Sequence, residues 1–280
     1  MRLRSWLFVP GDRPDRMKKA LGAGADAIIL DLEDSVAPGA KPEARRAVAE
    51  FLDALGGANL WVRINPLGGS EADRDLDAVL PGRPQGIVLP KAEGGASVDE
   101  LARRLTERGN VSAKIMAIAT ETPAAIFELG SYGGAKRLAG LTWGAEDLPA
   151  AIGASSAREA DGSYTAPYEI VRALCLFGAA AADVAPIETV YPAFRDSDGL
   201  RDYCERARRD GFQGMMAIHP DQVPIINEAF APTEDEIVHA RAVAAAFDAN
   251  PGAGALALDG RMIDRPHLIH AQRLLASLSE

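Results

Sequence analysis

The sequence has little cysteine, and this excludes one class of protein. Only Cys175 and Cys204 occur among 280 residues, both in segments with a helical pattern. Two cysteines cannot build a disulfide framework, so we expect reduced thiols. Long apolar runs are also missing. None approaches the ~20 residues that span a membrane, and the N-terminal MRLRSWLFVPGDR has too short an apolar run for a signal peptide. These absences predict a cytoplasmic protein with no membrane partner.

Basic charge is scarce as well. Lys and Arg together number 30 against 40 Asp and Glu, which gives a formal net charge of −10. Nucleic-acid binding needs a basic surface that neutralises phosphates, so we expect no nucleic-acid partner. The chain also lacks a G-x-G-x-x-G segment after a strand and a G-x-x-x-x-G-K-[ST] segment, which bind nucleotide phosphates. Neither absence excludes a local site for a small anion.

What the sequence does contain is a repeated alternation of short apolar runs and amphipathic stretches. The apolar runs are continuous, as in parallel strands that are buried on both faces. Eight strand–helix units in a chain of this length predict a (β/α)₈ TIM barrel, which usually takes ~250 residues. A doubly wound dinucleotide fold is the alternative, and the missing glycine signature disfavours it. The predicted strands are 5–10, 27–33, 59–65, 86–91, 113–121, 138–147, 182–192 and 214–220.

The barrel is predicted to occupy residues 1–230, and residues 231–280 a C-terminal helical extension. This extension is predicted to contain the helix TEDEIVHARAVAAAFDAN, the loop PGAGALALDG and the helix RPHLIHAQRLLASL. A long connection, LPAAIGASSAREADGSYTA (148–166), follows the sixth predicted strand. Long connections in compact domains are commonly lids or binding loops, although a tolerated surface insertion is the alternative.

Polar side chains end most of the predicted strands. A barrel brings the carboxyl ends of its strands to one rim, where active sites of this fold lie. A strand end can also be polar merely because it meets water, but an ionisable residue at most of the ends favours a functional rim. The ionisable residues are Glu33, Asp34, Arg63, Lys91, Glu121, Glu146, Asp147, Glu188 and His219.

Two of these acids form a candidate metal site. Glu121 and Asp147 end consecutive strands, and adjacent strands lie about 4.8 Å apart, so both carboxylates could reach one point. Two carboxylates, completed by water and substrate, commonly hold Mg²⁺. The absence of His and Cys at these two ends disfavours zinc. The alternative is that Asp147 caps the helix that begins at Leu148. Glu146 is expected on the opposite side of the strand, making structural hydrogen bonds.

Arg63 ends the third predicted strand and offers a planar fork for a carboxylate or a developing oxyanion. Together with a metal ion it implies an anionic, chelating substrate such as a 2-oxo or 2-hydroxy acid. The alternative is an internal ion pair with Glu33 or Asp34. Lys91 could form a Schiff base with a carbonyl substrate, but we favour a charged lysine that neutralises the nearby acids.

Ordered sequence blocks along nearly the whole chain carry a resemblance to a known family. They include SWLFVPGDRPDRMKKA, DAIILDLEDSVAPGAKPEAR, WVRINP, VLPKAE, ETPAAI, WGAEDLPAAIGASSAREADG, AIHPDQVPIIN and DGRMIDRPHL. The chain resembles the citrate lyase β-subunit-like (CitE-like) proteins of the HpcH/HpaI aldolase superfamily and is similar to malyl-CoA and citramalyl-CoA lyases. The resemblance implies a TIM barrel, Mg²⁺, and cleavage or formation of a C–C bond between a 2-oxo acid and an acyl thioester.

The resemblance also implies roles for particular residues. Glu121 and Asp147 would be the metal ligands, with Glu121 also touching substrate, and Arg63 would bind the carboxylate and oxygen of the oxo acid. Glu33 and Asp34 would be supporting acids near Arg63 and the metal's water. The partners implied are a CoA thioester and an oxo acid of the glyoxylate, pyruvate or oxaloacetate class.

In the C-terminal extension, the resemblance points to Asp264 of the segment GRMID. This acid would serve as acid or base on the thioester carbon, in an extension that closes over the pocket of a neighbouring subunit in a trimer or a hexamer. The alternative is a structural role for Asp264 as the N-cap before Arg265–Pro266, and this role is compatible with catalysis. Two rival functions remain: a citrate lyase β subunit that needs an acyl-carrier protein, and a class II pyruvate-type aldolase acting on free acids.

Overall fold

The computed structural model describes residues 3–56 and 59–278. Its larger unit, Leu3–Ala229, is a closed barrel of eight parallel strands in sequence order, in which β1 pairs with both β2 and β8. This confirms the predicted (β/α)₈ fold. The strands are β1 Ser5–Pro10, β2 Ala27–Asp31, β3 Leu60–Arg63, β4 Gly86–Leu89, β5 Lys114–Ile118, β6 Leu138–Thr142, β7 Ala185–Glu188 and β8 Gly214–Ala217.

Helices follow the strands, as the amphipathic stretches predict. Several begin with a proline in the first turn, which is a common start signal. Several end at a left-handed glycine, a common stop signal, for example Gly56 after α2 and Gly211 after α8. Short 3-10 helices cover Pro38–Ala40, Leu80–Gly82 and Leu129–Tyr132. The α-helices of this unit are α1 Pro14–Ala20, α2 Lys41–Leu55, α3 Glu71–Val79, α4 Gly95–Glu107, α5 Pro123–Phe127, α6 Leu148–Ile152, α7 Ala166–Ala181, α8 Ser197–Asp210 and α9 Gln222–Ala229.

Large side chains fill the barrel interior. Trp6 and Trp61 meet edge to face with ring centroids 4.8 Å apart, and both are almost fully buried. Gly86 makes room for them, because a Cβ atom at this position would overlap the Trp61 ring. Aliphatic residues such as Met116 and Met216 complete the same cluster. The filled interior closes the barrel below the strand carboxyl ends and leaves the chemistry to that rim.

Seven of the eight predicted strands extend beyond the observed ones, and two of these differences concern the site. β5 ends at Ile118 and β6 at Thr142, so Glu121 and Asp147 lie in the turns that follow rather than within the strands. Beyond these two strands, a hydrogen bond joins the two turns: Thr120 Oγ1, after β5, accepts the Gly144 N–H, after β6, at 3.0 Å. These turns place the two acids above the barrel interior.

The second unit begins at Phe230, and its described residues run to 278. It consists of α10 Glu234–Asp248, the hairpin β9 Ala255–Leu258 and β10 Arg261–Asp264, and α11 Arg265–Ala276. The hairpin lies where the sequence reads as a loop, so the extension is not wholly helical. Asp259 and Gly260 both have positive φ, as a tight hairpin turn requires. A small core of Ala240, Val243, Phe247, Ile263 and Ala271 joins these elements.

Within residues 3–56 and 59–278, no helix combines the length and the apolar character needed to cross a bilayer.

Candidate active site at the strand carboxyl ends

A cavity of about 130 Å³ opens at the carboxyl ends of the barrel strands. It contains most of the residues that the sequence singles out, and apolar side chains form its remaining wall. Its lining is Phe8, Asp34, Arg63, Ile118, Glu121, Thr142, Trp143, Gly144, Ala145, Glu146, Asp147, Thr189, Val190 and Met216. Arg63, Glu121 and Asp147, three residues far apart in sequence, therefore share one cavity.

A larger cavity, of about 560 Å³, lies elsewhere on this unit. Its lining comes from the ends of α3 and α4 and the segments that precede β4 and β5, for instance Leu80, Arg108 and Val111. It is therefore at the opposite end of the barrel, and its acid Asp77 is already paired with Arg108 at 2.7 Å. The smaller cavity is the candidate site because the convergent acids and the arginine lie there.

Arg63 is held in place by a bidentate ion pair. Its Nε and Nη2 donate to the two carboxylate oxygens of Asp31 at 2.7 and 2.6 Å, and Nη1 lies 2.9 Å from Glu33 Oε2. The guanidinium carbon lies 4.8 Å from the centre of the Phe8 ring. An arginine with five N–H donors keeps two beyond these three contacts. The plane of the fork is thus fixed while donor capacity remains for a ligand.

The charges of this group follow from burial and pairing. Burial alone would raise the pKa of Asp31, but the bonds and charge of Arg63 hold it below its usual range. Burial raises the pKa of Glu33 in spite of Arg63 and Lys91. For Arg63, burial works against the charged form, yet the hydrogen bonds and charge of Asp31 raise its pKa, so it stays protonated. The arginine therefore presents a permanent positive charge to the cavity.

Glu121 is a buried carboxylate in an anionic neighbourhood. It is 5% exposed, and its Oε2 accepts the backbone N–H of Lys91 at 2.5 Å. Burial, and then the carboxylates of Glu33 and Asp147, raise the pKa of Glu121 to about 8, although the Lys91 N–H opposes this. Several oxygen ligands that repel one another in a desolvated place are chemistry that suits a hard divalent cation.

Lys91 connects this carboxylate to the arginine cluster. Its Nζ donates to Glu33 Oε1 at 2.8 Å and lies 3.9 Å from Asp34. Burial would lower the pKa of Lys91, but the bond to Glu33 and the nearby acids raise it. A lysine held protonated is a poor nucleophile, which supports the neutralising role over a Schiff base. Its backbone is left-handed, with φ of 50°, and this directs the N–H at Glu121.

Asp147 and Glu146 have different surroundings. Asp147 occupies the N-cap position of α6, but its side chain makes no capping hydrogen bond, so the carboxylate remains available to the cavity. Glu146 lines the same cavity and is exposed. The prediction that Glu146 points to the far side of a strand is wrong, because β6 ends four residues earlier and the alternation of a strand no longer applies.

These residues fit a magnesium ion held by few protein ligands. Across the parts of the chain that the structure describes, no three His, Cys, Asp or Glu side chains form a ready-made metal cage. Mg²⁺ does not need one, since it commonly uses one or two carboxylates and keeps several waters or substrate oxygens. The convergence of Glu121 and Asp147, without a nearby His or Cys ligand, is the donor set expected for it.

Glu33 and Asp34, the acids that follow β2, differ in burial and in their contacts. Glu33 is 2% exposed and touches both Arg63 and Lys91. Asp34, whose side chain is 59% exposed, lies at the edge of the cavity. The sequence reading missed Asp31, which is the main partner of Arg63. A signal was available, because Asp31 ends the apolar run AIILD and Arg63 ends the next strand, so that both fall on the same rim of a parallel barrel.

Glu188, the last residue of β7, and His219, two residues beyond β8, have structural contacts. Glu188 is fully buried and accepts hydrogen bonds from Trp143 Nε1, from Tyr203 Oη at 3.0 Å and from Arg172 Nε at 2.7 Å. This network fixes Trp143, which lines the cavity. His219 stacks on Phe194 with ring centroids 5.0 Å apart. Glu188 therefore shapes the site through Trp143.

The long connection after α6 is anchored beside the site. Tyr164 is 5% exposed and packs edge to face on Trp143, with ring centroids 4.9 Å apart. Arg158 forms an isolated bridge with Tyr164, donates to its hydroxyl at 2.6 Å and lies over its ring. The connection is thus tied to a cavity-lining tryptophan, which agrees with a binding loop better than with a merely tolerated insertion.

Asp264 lies in the second unit, at the end of β10 and the start of α11. Its Oδ1 is 2.5 Å from Nδ1 of His267, which also lies 3.2 Å from the Asp264 backbone N–H. This short contact needs one proton between the two side chains, and the same histidine nitrogen is within reach of the Asp264 backbone N–H. The N-cap expectation is thus joined by a histidine partner that the sequence reading missed, although D-x-x-H at a helix start was its signal.

Comparison with known proteins agrees with this geometry. Residues 4–220 match the family model for HpcH/HpaI aldolase/citrate lyase. A citrate lyase subunit beta-like protein of Mycobacterium tuberculosis is 38% identical over 281 residues, with 98% of this chain and 95% of the relative covered. A (3S)-malyl-CoA thioesterase of Cereibacter sphaeroides is 32% identical, with 98% of this chain and 93% of the relative covered.

A solved structure extends the likeness to three dimensions. The protein CitE from Mycobacterium tuberculosis, in complex with magnesium, acetoacetate and coenzyme A, has a TM-score of 0.84 and 37% sequence identity to this chain. The match covers 100% of this chain and 99% of that one. The part matched by the family model includes Arg63, Glu121 and Asp147. The chain belongs to the HpcH/HpaI aldolase/citrate lyase family, a family of lyases.

Proposed function

We propose that this protein is a Mg²⁺-dependent carbon–carbon lyase acting on a 3-hydroxyacyl-CoA such as malyl-CoA or citramalyl-CoA. Cleavage would release acetyl-CoA and a 2-oxo acid, and the reverse reaction would be a Claisen-type condensation. The observation that carries the proposal is the convergence of Glu121, Asp147 and Arg63 on one cavity. A relative with bound magnesium, acetoacetate and coenzyme A supports it.

Glu121 and Asp147 are the residues that would hold the metal ion. When bound, Mg²⁺ supplies Lewis-acid polarisation of a substrate oxygen. The Lys91 N–H engages Glu121 Oε2 and leaves Oε1 free of that contact. Glu121 would also touch the substrate, because both occupy the same narrow cavity.

Arg63 would stabilise the negative charge on the substrate oxygen in the alkoxide that precedes C–C cleavage. Donors that are already oriented cost little reorganisation during the reaction, which is why such groups contribute strongly to catalysis. The bidentate bonds to Asp31 and the ion pair with Glu33 provide that orientation. Glu33 therefore acts by keeping Arg63 and Lys91 in place, and Asp34 adds negative charge at the cavity edge.

Asp264 would move the proton at the thioester carbon. In cleavage, the 3-hydroxyl would lose its proton to solvent and its oxygen would become the carbonyl of the 2-oxo acid. The electrons of the breaking C–C bond would pass to a thioester enolate, whose carbon would take the proton of Asp264, and Asp264 would regain a proton from solvent. In condensation it removes that proton. An aspartate is a stronger base when partly desolvated, and a neighbouring subunit in a trimer or hexamer could provide the cover. We propose that residues 231–280 are the lid that serves a neighbour's pocket.

The test is turnover by the purified chain alone. With Mg²⁺, we expect malyl-CoA or citramalyl-CoA to yield acetyl-CoA and glyoxylate or pyruvate, and Asp147→Asn to abolish this. Glu50→Gln, an exposed change on α2 outside the cavity lining, is the control. Activity only on an acyl-carrier-protein thioester would instead identify a citrate lyase β subunit. Activity only on free acids would identify a class II aldolase, and release of free CoA would identify hydrolysis.

A further inference from the structure

A buried hydroxyl in the cavity wall has no partner. Thr142, the last residue of β6, is 2% exposed, and its Oγ1 has no hydrogen-bond partner among the residues that the structure describes. It lines the cavity that also contains Glu121 and Asp147. Buried polar atoms are usually hydrogen-bonded, so an exception inside a candidate site needs an explanation.

The surroundings of Thr142 explain why no protein group reaches it. In the barrel register, Thr142 is paired with Ile118 of β5 on one side and Ile187 of β7 on the other. Its backbone oxygen is satisfied by the Ala119 N–H at 2.8 Å. The hydroxyl is thus set in an apolar part of the wall, below the turns that hold the two acids.

A nearby threonine makes the contrast clear. Thr120 is fully buried, but its Oγ1 accepts the Gly144 N–H at 3.0 Å and donates to the Gly144 oxygen at 3.3 Å. That hydroxyl serves the fold of the turn. The Thr142 hydroxyl serves no such contact, and a valine of the same shape would avoid the cost of burying it.

We propose that Thr142 is a substrate-binding residue whose hydroxyl donates a hydrogen bond to an oxygen of the bound 2-oxo acid. This inference rests on the proposed function. Carboxylates that hold a metal ion offer the substrate no hydrogen-bond donor, whereas an oxo acid carries acceptor oxygens that need donors. Arg63 supplies donors from β3, and Thr142 supplies one from β6, three strands farther along the closed barrel. The two strands hold the oxo acid between them.

The experiment measures pyruvate binding to the full chain in the presence of Mg²⁺, by calorimetry, together with the melting temperature of the ligand-free protein. Thr142→Val should weaken pyruvate binding by about tenfold or more, because it removes a hydrogen bond to a charged ligand. The same variant should melt about 2–4 °C higher without ligand, because an unpaired buried hydroxyl is gone. Thr142→Ser keeps the hydroxyl and should retain most of the affinity.

Thr106→Val, on the exposed face of α4, removes a hydroxyl bonded to Ala102 and should leave pyruvate affinity unchanged. If Thr142→Val binds pyruvate as tightly as the wild type, the inference is overturned, whatever its melting temperature. If Thr142→Val does not fold, Thr142→Ala against Thr142→Ser decides by the same criterion. If the wild type binds neither pyruvate nor glyoxylate, the proposed function itself fails, and this inference with it.

Discussion

The barrel rim and the C-terminal unit hold their acids in opposite ways. In the barrel, Asp31, Glu33 and Glu121 are 1%, 2% and 5% exposed, and each has a defined donor. In the C-terminal unit, the Asp264 side chain is 35% exposed and its partner His267 50%. The barrel therefore organises its charges by its own contacts, before any ligand binds. Asp264 needs further cover to act in a low-dielectric place, and this difference separates the two halves of the proposed mechanism.

The largest effect should come from the barrel. Glu121→Gln keeps the shape of the side chain but removes one of the two carboxylates that would hold Mg²⁺. We expect kcat/KM to fall on the order of 10³-fold or more, since even indirect damage to a metal site costs 10–100-fold. Calorimetric Mg²⁺ titration and the lyase assay measure the two consequences separately.

Folding should not suffer in this variant. The glutamine removes a carboxylate that is buried beside Glu33 and Asp147, so its melting temperature should equal or exceed that of the wild type. Unchanged Mg²⁺ affinity in Glu121→Gln would show that the metal site has been misplaced. A comparable loss in Asp147→Asn, with Glu50→Gln unaffected, would tie the effect to the cavity.

The second prediction addresses the C-terminal unit. Asn caps helices as well as Asp, so Asp264→Asn preserves the start of α11 and removes only the acid–base group. We expect kcat to fall roughly 10²–10⁴-fold, the usual contribution of a general acid or base, with Mg²⁺ affinity unchanged. This pairing of results would establish that the two regions contribute separate functions. Full turnover by Asp264→Asn would remove the acid–base assignment.

Subunit mixing sharpens this prediction. If Asp264 serves the pocket of a neighbour, Glu121→Gln and Asp264→Asn protomers should complement each other when they are dissociated and reassembled together. Random assembly of equal amounts gives about one quarter of sites an intact pocket and an intact lid, by symmetry. Activity near that fraction of the wild-type value supports the intersubunit lid. No recovery in verified mixed oligomers would place Asp264 in the same chain as the pocket it serves.

The sequence predicts which residues reach the barrel rim better than it predicts the contacts of a single buried side chain. Strand order in a parallel barrel brings strand ends together, so Arg63, Glu121 and Asp147 could be assigned to one rim from spacing alone. The unpartnered hydroxyl of Thr142 could not, because burial without a partner depends on every neighbour in the fold. The sequence does not predict the β9–β10 hairpin, although its Asp259–Gly260 turn is a recognisable hairpin signal, because ALAL consists of alanine and leucine, which favour helices over strands.

A third, smaller effect is expected at His267. His267→Gln and His267→Glu both provide the acceptor that a capping box needs at this position of α11. Only Gln can also donate to the Asp264 carboxylate, whereas Glu places a second negative charge against it. We expect His267→Glu to lower kcat about tenfold and His267→Gln only a few-fold, because positioning rather than capping is lost. Steady-state kinetics with both variants measures this. Equal activities would reduce His267 to a structural cap.

The smallest effect returns to the barrel and concerns its backbone. Lys91 adopts a left-handed conformation, with φ of 50°, so that its N–H meets Glu121. Lys91→Gly and Lys91→Ala both remove the ion pair with Glu33, but only glycine adopts this conformation without steric cost. We expect the glycine variant to be about 1 kcal/mol more stable to unfolding than the alanine variant, as measured by urea denaturation. It should also bind Mg²⁺ more tightly, because its N–H still fixes the Glu121 carboxylate. An alanine variant that equals it on both counts would mean that the orientation of Glu121 does not depend on this backbone, and that the barrel acids are less rigidly organised than their burial indicates.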